Sequence, residues 1–223
     1  MPNQHQYQIC QCQNQACRLR FPVPSGSPAI TSCPFCSSPL TNLAEVFSNR
    51  KPESTDHTGS SLSISVALDN LRSAYNVGAI FRTADAVGIQ HIHLYGITPT
   101  PDNPKVQKTS LSAEFAVPWT HHKNSLDHLA TIKHEYQVWA IEGGQHALSI
   151  FDLPAPKTNH PILLVFGSEY AGIDPAILRL ANQTIFIPMI GFKRSLNVAS
   201  AFAIATYTLR FNLRTYPKNS KKG

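Results

Sequence analysis

Beyond residue 40 the 223-residue chain has no cysteine. Four further absences narrow the field. No apolar run approaches the roughly 20 residues of a membrane-spanning helix. The opening Met-Pro-Asn-Gln-His-Gln lacks the charged and apolar regions of a secretory leader, so a cytoplasmic protein with no membrane contact is expected. No strand-like stretch is followed by a glycine-rich dinucleotide or phosphate loop, which argues against an ordinary Rossmann methyltransferase or nicotinamide enzyme. No internal repeat or low-complexity tract is found.

What is present suits one medium domain with a small appendage. The chain is 42% hydrophobic, enough for a core, and carries a net charge of +6. That modest excess is compatible with an anionic partner such as RNA.

The five cysteines are Cys10, Cys12, Cys17, Cys33 and Cys36. In a reducing compartment their spacing favours metal over disulfides. Cys33-Pro-Phe-Cys36 is a tight knuckle, and Cys12 with Cys17 is a wider one; two such pairs can set four thiolates tetrahedrally around zinc. So short a segment has little core of its own, so the ion would supply much of its folding energy. A zinc-ribbon-like domain over residues 1–45 is expected, with Cys12, Cys17, Cys33 and Cys36 as ligands and Cys10 as the alternative to Cys12. Arg18, Arg20 and Phe21 are either RNA contacts or ordinary surface and core residues of the ribbon. From Thr41 the composition turns polar and aperiodic, predicting a linker over 46–60 and a second domain over 61–215, with a basic tail at 216–223.

In the second domain strand and helix signals alternate, which predicts an α/β fold with a mostly parallel sheet. Strands are expected at 62–68, 91–95, 117–120, 137–141, 162–166 and 184–188, and helices at 77–87, 125–135 and 175–181, the last opened by Asp174 and Pro175. Asn76 is expected to cap the first helix. Ser195 is expected to cap a final helix over 196–209 that is apolar on nearly every face and so buried, against its own sheet and a second surface such as another subunit.

Three ordered stretches carry a family resemblance: Asn76 to Ala86 (NVGAIFRTADA), Phe166 to Gly172 (FGSEYAG), and Ile187-Pro188-Met189 with Gly191 and Ser195 to Ala199 (SLNVA). Together they resemble the signature motifs of the SpoU (TrmH-like) RNA ribose methyltransferases of the SPOUT superfamily. The resemblance implies a SPOUT fold with a C-terminal trefoil knot, S-adenosylmethionine held among the knot loops, a homodimer packed through the knotted region, and methylation of a ribose 2′-hydroxyl in tRNA or rRNA. It assigns catalytic roles to Arg82, Asn76, Glu169, Ser195 and Asn197, and cofactor contacts to Phe166, Gly167, Ile187, Met189, Ser195 and Leu196. Gly143, which with Gly144 follows the preceding strand, is expected as a further cofactor contact. Arg82 acts either as a base or, as its high pKa favours, as an electrostatic stabiliser. Zinc is structural. Lys108 to Glu114 is read as a loop of the same family, with Ser112 where glycine is usual and Ala199 where serine is common. The alternative is a non-catalytic RNA-binding protein that retains the fold.

Overall fold

A computed structural model describes residues 7–24, 30–46, 62–144, 146–154 and 160–212; of the expected linker at 46–60 all but residue 46, and the whole basic tail, lie outside the described residues. The chain divides into two compact units, residues 1–57 and 58–223.

The first unit is a three-stranded antiparallel sheet of β1 (Tyr7–Cys12), β2 (Arg20–Pro24) and β3 (Leu40–Val46), in the order β2-β1-β3. The polar stretch from Thr41, read as the start of a linker, continues as β3 to Val46, because its backbone pairs with β1. Main-chain pairing here overrides an unpromising side-chain pattern.

The second unit is built on a seven-stranded sheet whose neighbouring strands all pair in parallel. In chain order the strands are β4 (Ile64–Asp69), β5 (Ile92–Tyr95), β6 (Trp119–His122), β7 (Gln137–Ile141), β8 (Leu148–Ser149), β9 (Ile162–Phe166) and β10 (Gln183–Phe186). They lie in the order β6-β5-β4-β9-β7-β10-β8. The helices are α1 (Ala74–Val87), α2 (Pro104–Ser110), α3 (Ser125–Ile132), α4 (Pro175–Leu180) and α5 (Val198–Tyr207).

Successive strand side chains face opposite layers. Ile64, Val66 and Leu68 of β4, with Ile162, Leu164 and Phe166 of β9, pack with α1 and α5; Ala67, Leu163 and Val165 pack on the other face with Leu129 of α3 and Ile177 of α4. Both faces are covered, so the central strands are continuous apolar runs.

Several local expectations need correction. Asn76 does not cap α1: Ser73 does, its hydroxyl accepting from the Asn76 N–H at 3.3 Å, and Asn76 sits in the first turn. Ser195 does not cap α5 either; Asn197 does, accepting from the N–H groups of Ala199 and Ser200. A side-chain amide set just before the first turn reaches those donors, whereas Ser195 is two residues too early. Lys108 to Ser110 belongs to α2, a helix the sequence reading missed, capped by Asn103 with Pro104 at its start. At the end of that segment Ser112, the family's glycine position, has φ 73°, and Leu111 before it has φ 51°. Both are left-handed conformations that cost an L-residue about 1–2 kcal/mol.

Helix α5 is not buried all round. Phe202 and Ala205 are fully buried, but Tyr207 is 43% exposed. Phe166 and Phe202 meet at 5.4 Å between ring centroids and pin α5 to β9, a pair worth about 0.5–1.5 kcal/mol beyond the area it buries. Beyond α5 a π-helical turn (Thr208–Asn212) carries Arg210 back to the start of β4 and the end of α1. Its guanidinium donates to the carbonyls of Val87 (3.0 Å), Gly88 (2.8 Å) and Leu62 (2.7 Å). A cation at a helix carboxyl end also meets the negative end of its dipole.

Candidate active site

Three neighbouring strands, β9, β7 and β10, end together, and their carboxyl ends open into a cleft of about 1150 Å³. In an open parallel sheet this edge is where ligands bind, because backbone groups emerging from the strands are unspent and the loops there can be shaped freely. One wall is the loop after β9, residues 167–173. The other is the stretch from Ile187 to Asn197 that leads into α5.

The β9 loop folds back on itself through paired backbone bonds between Ser168 and Gly172, both 2.9 Å. The same fold-back gives Gly167 a role in the loop itself. A Cβ there would strike the backbone of Gly172 and Ile173, so the glycine is needed for the loop to close. Glu142, a residue the sequence reading passed over, braces the same loop: its carboxylate accepts from the N–H groups of Gly143 (3.2 Å) and Ile173 (3.1 Å). Its only sequence signal was a carboxylate directly after a buried strand.

At the mouth of the cleft three polar side chains from distant parts of the chain join. Glu169 accepts from the backbone N–H of Arg72 (2.9 Å) and Ser73 (3.2 Å) and from Asn76 Nδ2 (3.0 Å). Asn197 Nδ2 donates to Asn76 Oδ1 at 3.0 Å, while Asn197 Oδ1 caps α5. The amino ends of α1 and α5 are thus tied together through two amides, and the carboxylate ties the β9 loop to α1. Burial acts to raise the Glu169 carboxyl, but the bonds from Arg72, Asn76 and Ser73 outweigh it and hold it below the usual carboxylate range. Glu169 is therefore an anion fixed at the positive amino end of α1.

Gly143, Phe166, Gly167, Ile187 and Met189 all line the cleft, as do Ser195 and Leu196. So do Glu169, Asn197 and the loop cations Lys193 and Arg194. Asn76 reaches it through its bonds to Glu169 and Asn197. Arg82 does not line it. It lies on the exposed side of α1 with Tyr75, seven residues earlier. Arg72 lies over the exposed ring of Tyr170 at 5.1 Å, a cation–π contact on the cleft's rim that the sequence did not reveal.

A match to the SpoU rRNA methylase family model runs over residues 63–207, most of the second unit and all of this site. The chain belongs to that family. Among its relatives, the tRNA (guanosine(18)-2′-O)-methyltransferase of Escherichia coli is 29% identical over 166 residues, 74% of this chain and 66% of that protein. The enzyme of the same name from Thermus thermophilus is 30% identical over 166 residues, 74% of this chain and 78% of that protein. The AdoMet-bound structure of an rRNA methyltransferase from Sinorhizobium meliloti superposes with a TM-score of 0.62 at 30% identity, covering 69% of this chain and 57% of that one. The chain thus spans about two thirds of the first of these relatives and less of the last. The SPOUT-type α/β architecture expected from the motifs is the one observed, and the cysteine unit lies outside the matched residues.

In that unit the Sγ atoms of Cys12, Cys17, Cys33 and Cys36 lie within 4.8 Å of one another. Cys12–Cys36 is 3.4 Å and Cys17–Cys33 is 3.8 Å, and none is in a disulfide. Four thiolates at about 2.3 Å from zinc would be about 3.8 Å apart, so the cluster fits the ion. Each pair ends in a left-handed residue, Arg18 (φ 48°) and Ser37 (φ 58°), which turns the chain sharply around the cluster. Hydrogen bonds from the Ser38 hydroxyl and N–H lower the Cys36 thiol to about 6, while burial pushes Cys12 up to about 12. Cys10 stands outside the cluster, its thiol donating to Asn42 Oδ1 at 3.0 Å. Of the two alternatives, Cys12 is the one in the group.

Proposed function

We propose that this protein transfers a methyl group from S-adenosylmethionine to a ribose 2′-hydroxyl of an RNA. The observation that carries the reading is the junction of Asn76, Glu169 and Asn197 at the mouth of a cleft on the carboxyl ends of β9, β7 and β10. Family membership and the printed activities of the relatives support it. The cleft suits the donor: it is roomy, it mixes apolar Met189 and Leu196 with unspent main chain, and it is bounded by polar Ser195 and Asn197. Gly143, Phe166 and Gly167 would hold the cofactor together with Ile187, Met189, Ser195 and Leu196. When bound, the sulfonium supplies an already electrophilic carbon, so the protein has to align groups and ease the loss of one proton.

Asn76 and Asn197 fix one another and can orient the ribose hydroxyl, with Ser195 beside them. Glu169 holds the amino end of α1, and Asn76 with it, in place. Arg82 brings a guanidinium group. On the outer side of α1 it would meet the RNA backbone and stabilise charge as the hydroxyl loses its proton. A homodimer is part of the proposal, supported by Ile190 and Phe192, both almost completely exposed at the cleft loop; exposed apolar groups of that size mark an interface. The same holds for the SPOUT knot and for a cytoplasmic location. Among the described residues no helix is long and apolar enough to cross a membrane. In the first unit we assign structural zinc to Cys12, Cys17, Cys33 and Cys36, with the ribbon helping to select the RNA.

The test is transfer of label from methyl-labelled S-adenosylmethionine to total RNA from a strain lacking the gene, followed by nucleoside analysis. Label in a 2′-O-methylnucleoside, lost with Arg82→Ala, is expected. Cofactor binding without any incorporation would refute the enzyme reading and favour an RNA-binding protein.

A further inference from the structure

Histidines gather on the face of the sheet that α3 covers, at the edge formed by β5 and β6. This edge is two strands from β9, the nearest strand of the cleft, about 10 Å by strand spacing. His93 of β5 is 7% exposed, and its Nε2 is buried without a hydrogen-bond partner. A buried imidazole nitrogen left unpaired is costly and calls for a reason. Two more rings converge on it, His122 at the end of β6 and His128 on α3. One nitrogen from each of the three lies within 4.8 Å of the others.

The opposite nitrogens are held by hydroxyls. Tyr95 Oη meets His128 Nδ1 at 2.9 Å. Thr120 Oγ1 meets His122 Nε2 at 3.0 Å, His93 Nδ1 at 3.3 Å and His91 Nε2 at 3.0 Å. The nitrogens left over are His93 Nε2, His122 Nδ1 and His128 Nε2. Each of the three rings thus keeps one nitrogen outside these bonds, as a metal-binding histidine does when a neighbour holds its other nitrogen.

We infer that His93, His122 and His128 form a metal site for a zinc-class divalent cation, separate from the cysteine cluster and from the cleft. Three neutral imidazoles suit late first-row ions such as zinc, cobalt or nickel. Magnesium and calcium, which take oxygen ligands, are not served by this donor set. The rings of His122 and His128 stack at 3.5 Å with an interplanar angle of 15°. Binding requires them to fan apart about their side-chain torsions so that both lone pairs meet one ion. The bound ion staples α3 and the edge strand β6 to β5 and leaves a fourth position for water.

The experiment uses the full chain without a polyhistidine tag, stripped by chelator and dialysed against Zn²⁺ with excess Mg²⁺ to occupy carboxylates. Bound zinc is counted in four proteins: the unaltered chain, a Cys33→Ser/Cys36→Ser pair, a His122→Asn/His128→Asn pair, and all four substitutions together. The histidine pair is expected to lower the count by one equivalent per chain whether or not the cysteines are intact. His122 and His128 are partly exposed, so these variants spare the buried His93. As a second reading in the unaltered chain, zinc is expected to move the imidazole nitrogen resonances of His93, His122 and His128 together. An unchanged count in the histidine pair, or unmoved resonances under saturating zinc, overturns the site.

Discussion

Replacing Asn197 separates two jobs that one side chain performs. Its Oδ1 caps α5 by accepting from Ala199 N–H at 2.9 Å, and its Nδ2 donates to Asn76 Oδ1 at 3.0 Å. Asn197→Ala removes both. Loss of a cap costs about 1 kcal/mol, and loss of a solvent-accessible hydrogen bond about 0.5–1 kcal/mol, so the total is about 1.5–2 kcal/mol. For a domain of this size that is a fall in Tm of about 3–8 °C. Asn197→Asp keeps an acceptor for the helix and adds a favourable charge at its amino end, but it cannot donate to Asn76. It should recover about half or more of the lost stability. If the link to Asn76 positions the reacting hydroxyl, kcat/KM should nonetheless stay about threefold to tenfold down in both variants, the kinetic equivalent of roughly 0.6–1.4 kcal/mol. Thermal melts and single-substrate methylation kinetics read the two quantities. Equal melting temperatures for the Ala and Asp variants would refute the capping argument, and an Asp variant with unaltered kinetics would refute the positioning argument.

Three further substitutions test the physical reasoning elsewhere. Ser112→Gly relieves a φ of 73° and should stabilise the chain by about 0.5–1 kcal/mol, less than the full relief because glycine also loosens the unfolded chain; a denaturant melt showing a loss instead would contradict the strain. Gly78→Ala drives a methyl group into the Val106 carbonyl and Thr109 Oγ1 where α1 crosses α2, and should cost about 1–3 kcal/mol, read as a lower urea midpoint. Glu169 is held below its ordinary 4.5 in the folded state. The unfolded chain therefore takes up its proton first, and the stability this carboxylate contributes is full above that value and is lost as pH falls through the folded pKa. Glu169→Gln should remove that part of the acid dependence, and melts below pH 5 that superimpose for the two proteins would show that the bonds to Arg72, Ser73 and Asn76 favour neither form.

Local chemistry was readable in the sequence wherever a residue's role depended on its near neighbours. The spans of β7 and β9 follow from short apolar runs, α4 from Asp174 and Pro175, and the cysteine pairs from their spacing. The three motifs carried the family and the cleft-lining residues with it. The caps were misplaced by two or three residues because Ser73, Asn76, Ser195 and Asn197 are all competent cappers, and only the backbone path says which one meets free N–H groups. Helix α2 was missed because its seven residues are mostly polar and it is held by packing against α1. What joins the site spans far greater separations: Glu169 meets Asn76 across 93 residues, and Asn197 meets Asn76 across 121. The same is true of the histidines on β5, β6 and α3, which no spacing rule unites. Sequence by itself determined most of the second domain's elements and the chemical groups they carry, because helix and strand periodicity are local; α2 and the end of β3, held by packing and pairing, escaped it. Only the order of strands in the sheet decided which of those groups meet, since bringing β9, β7 and β10 to one edge is a property of the packed core.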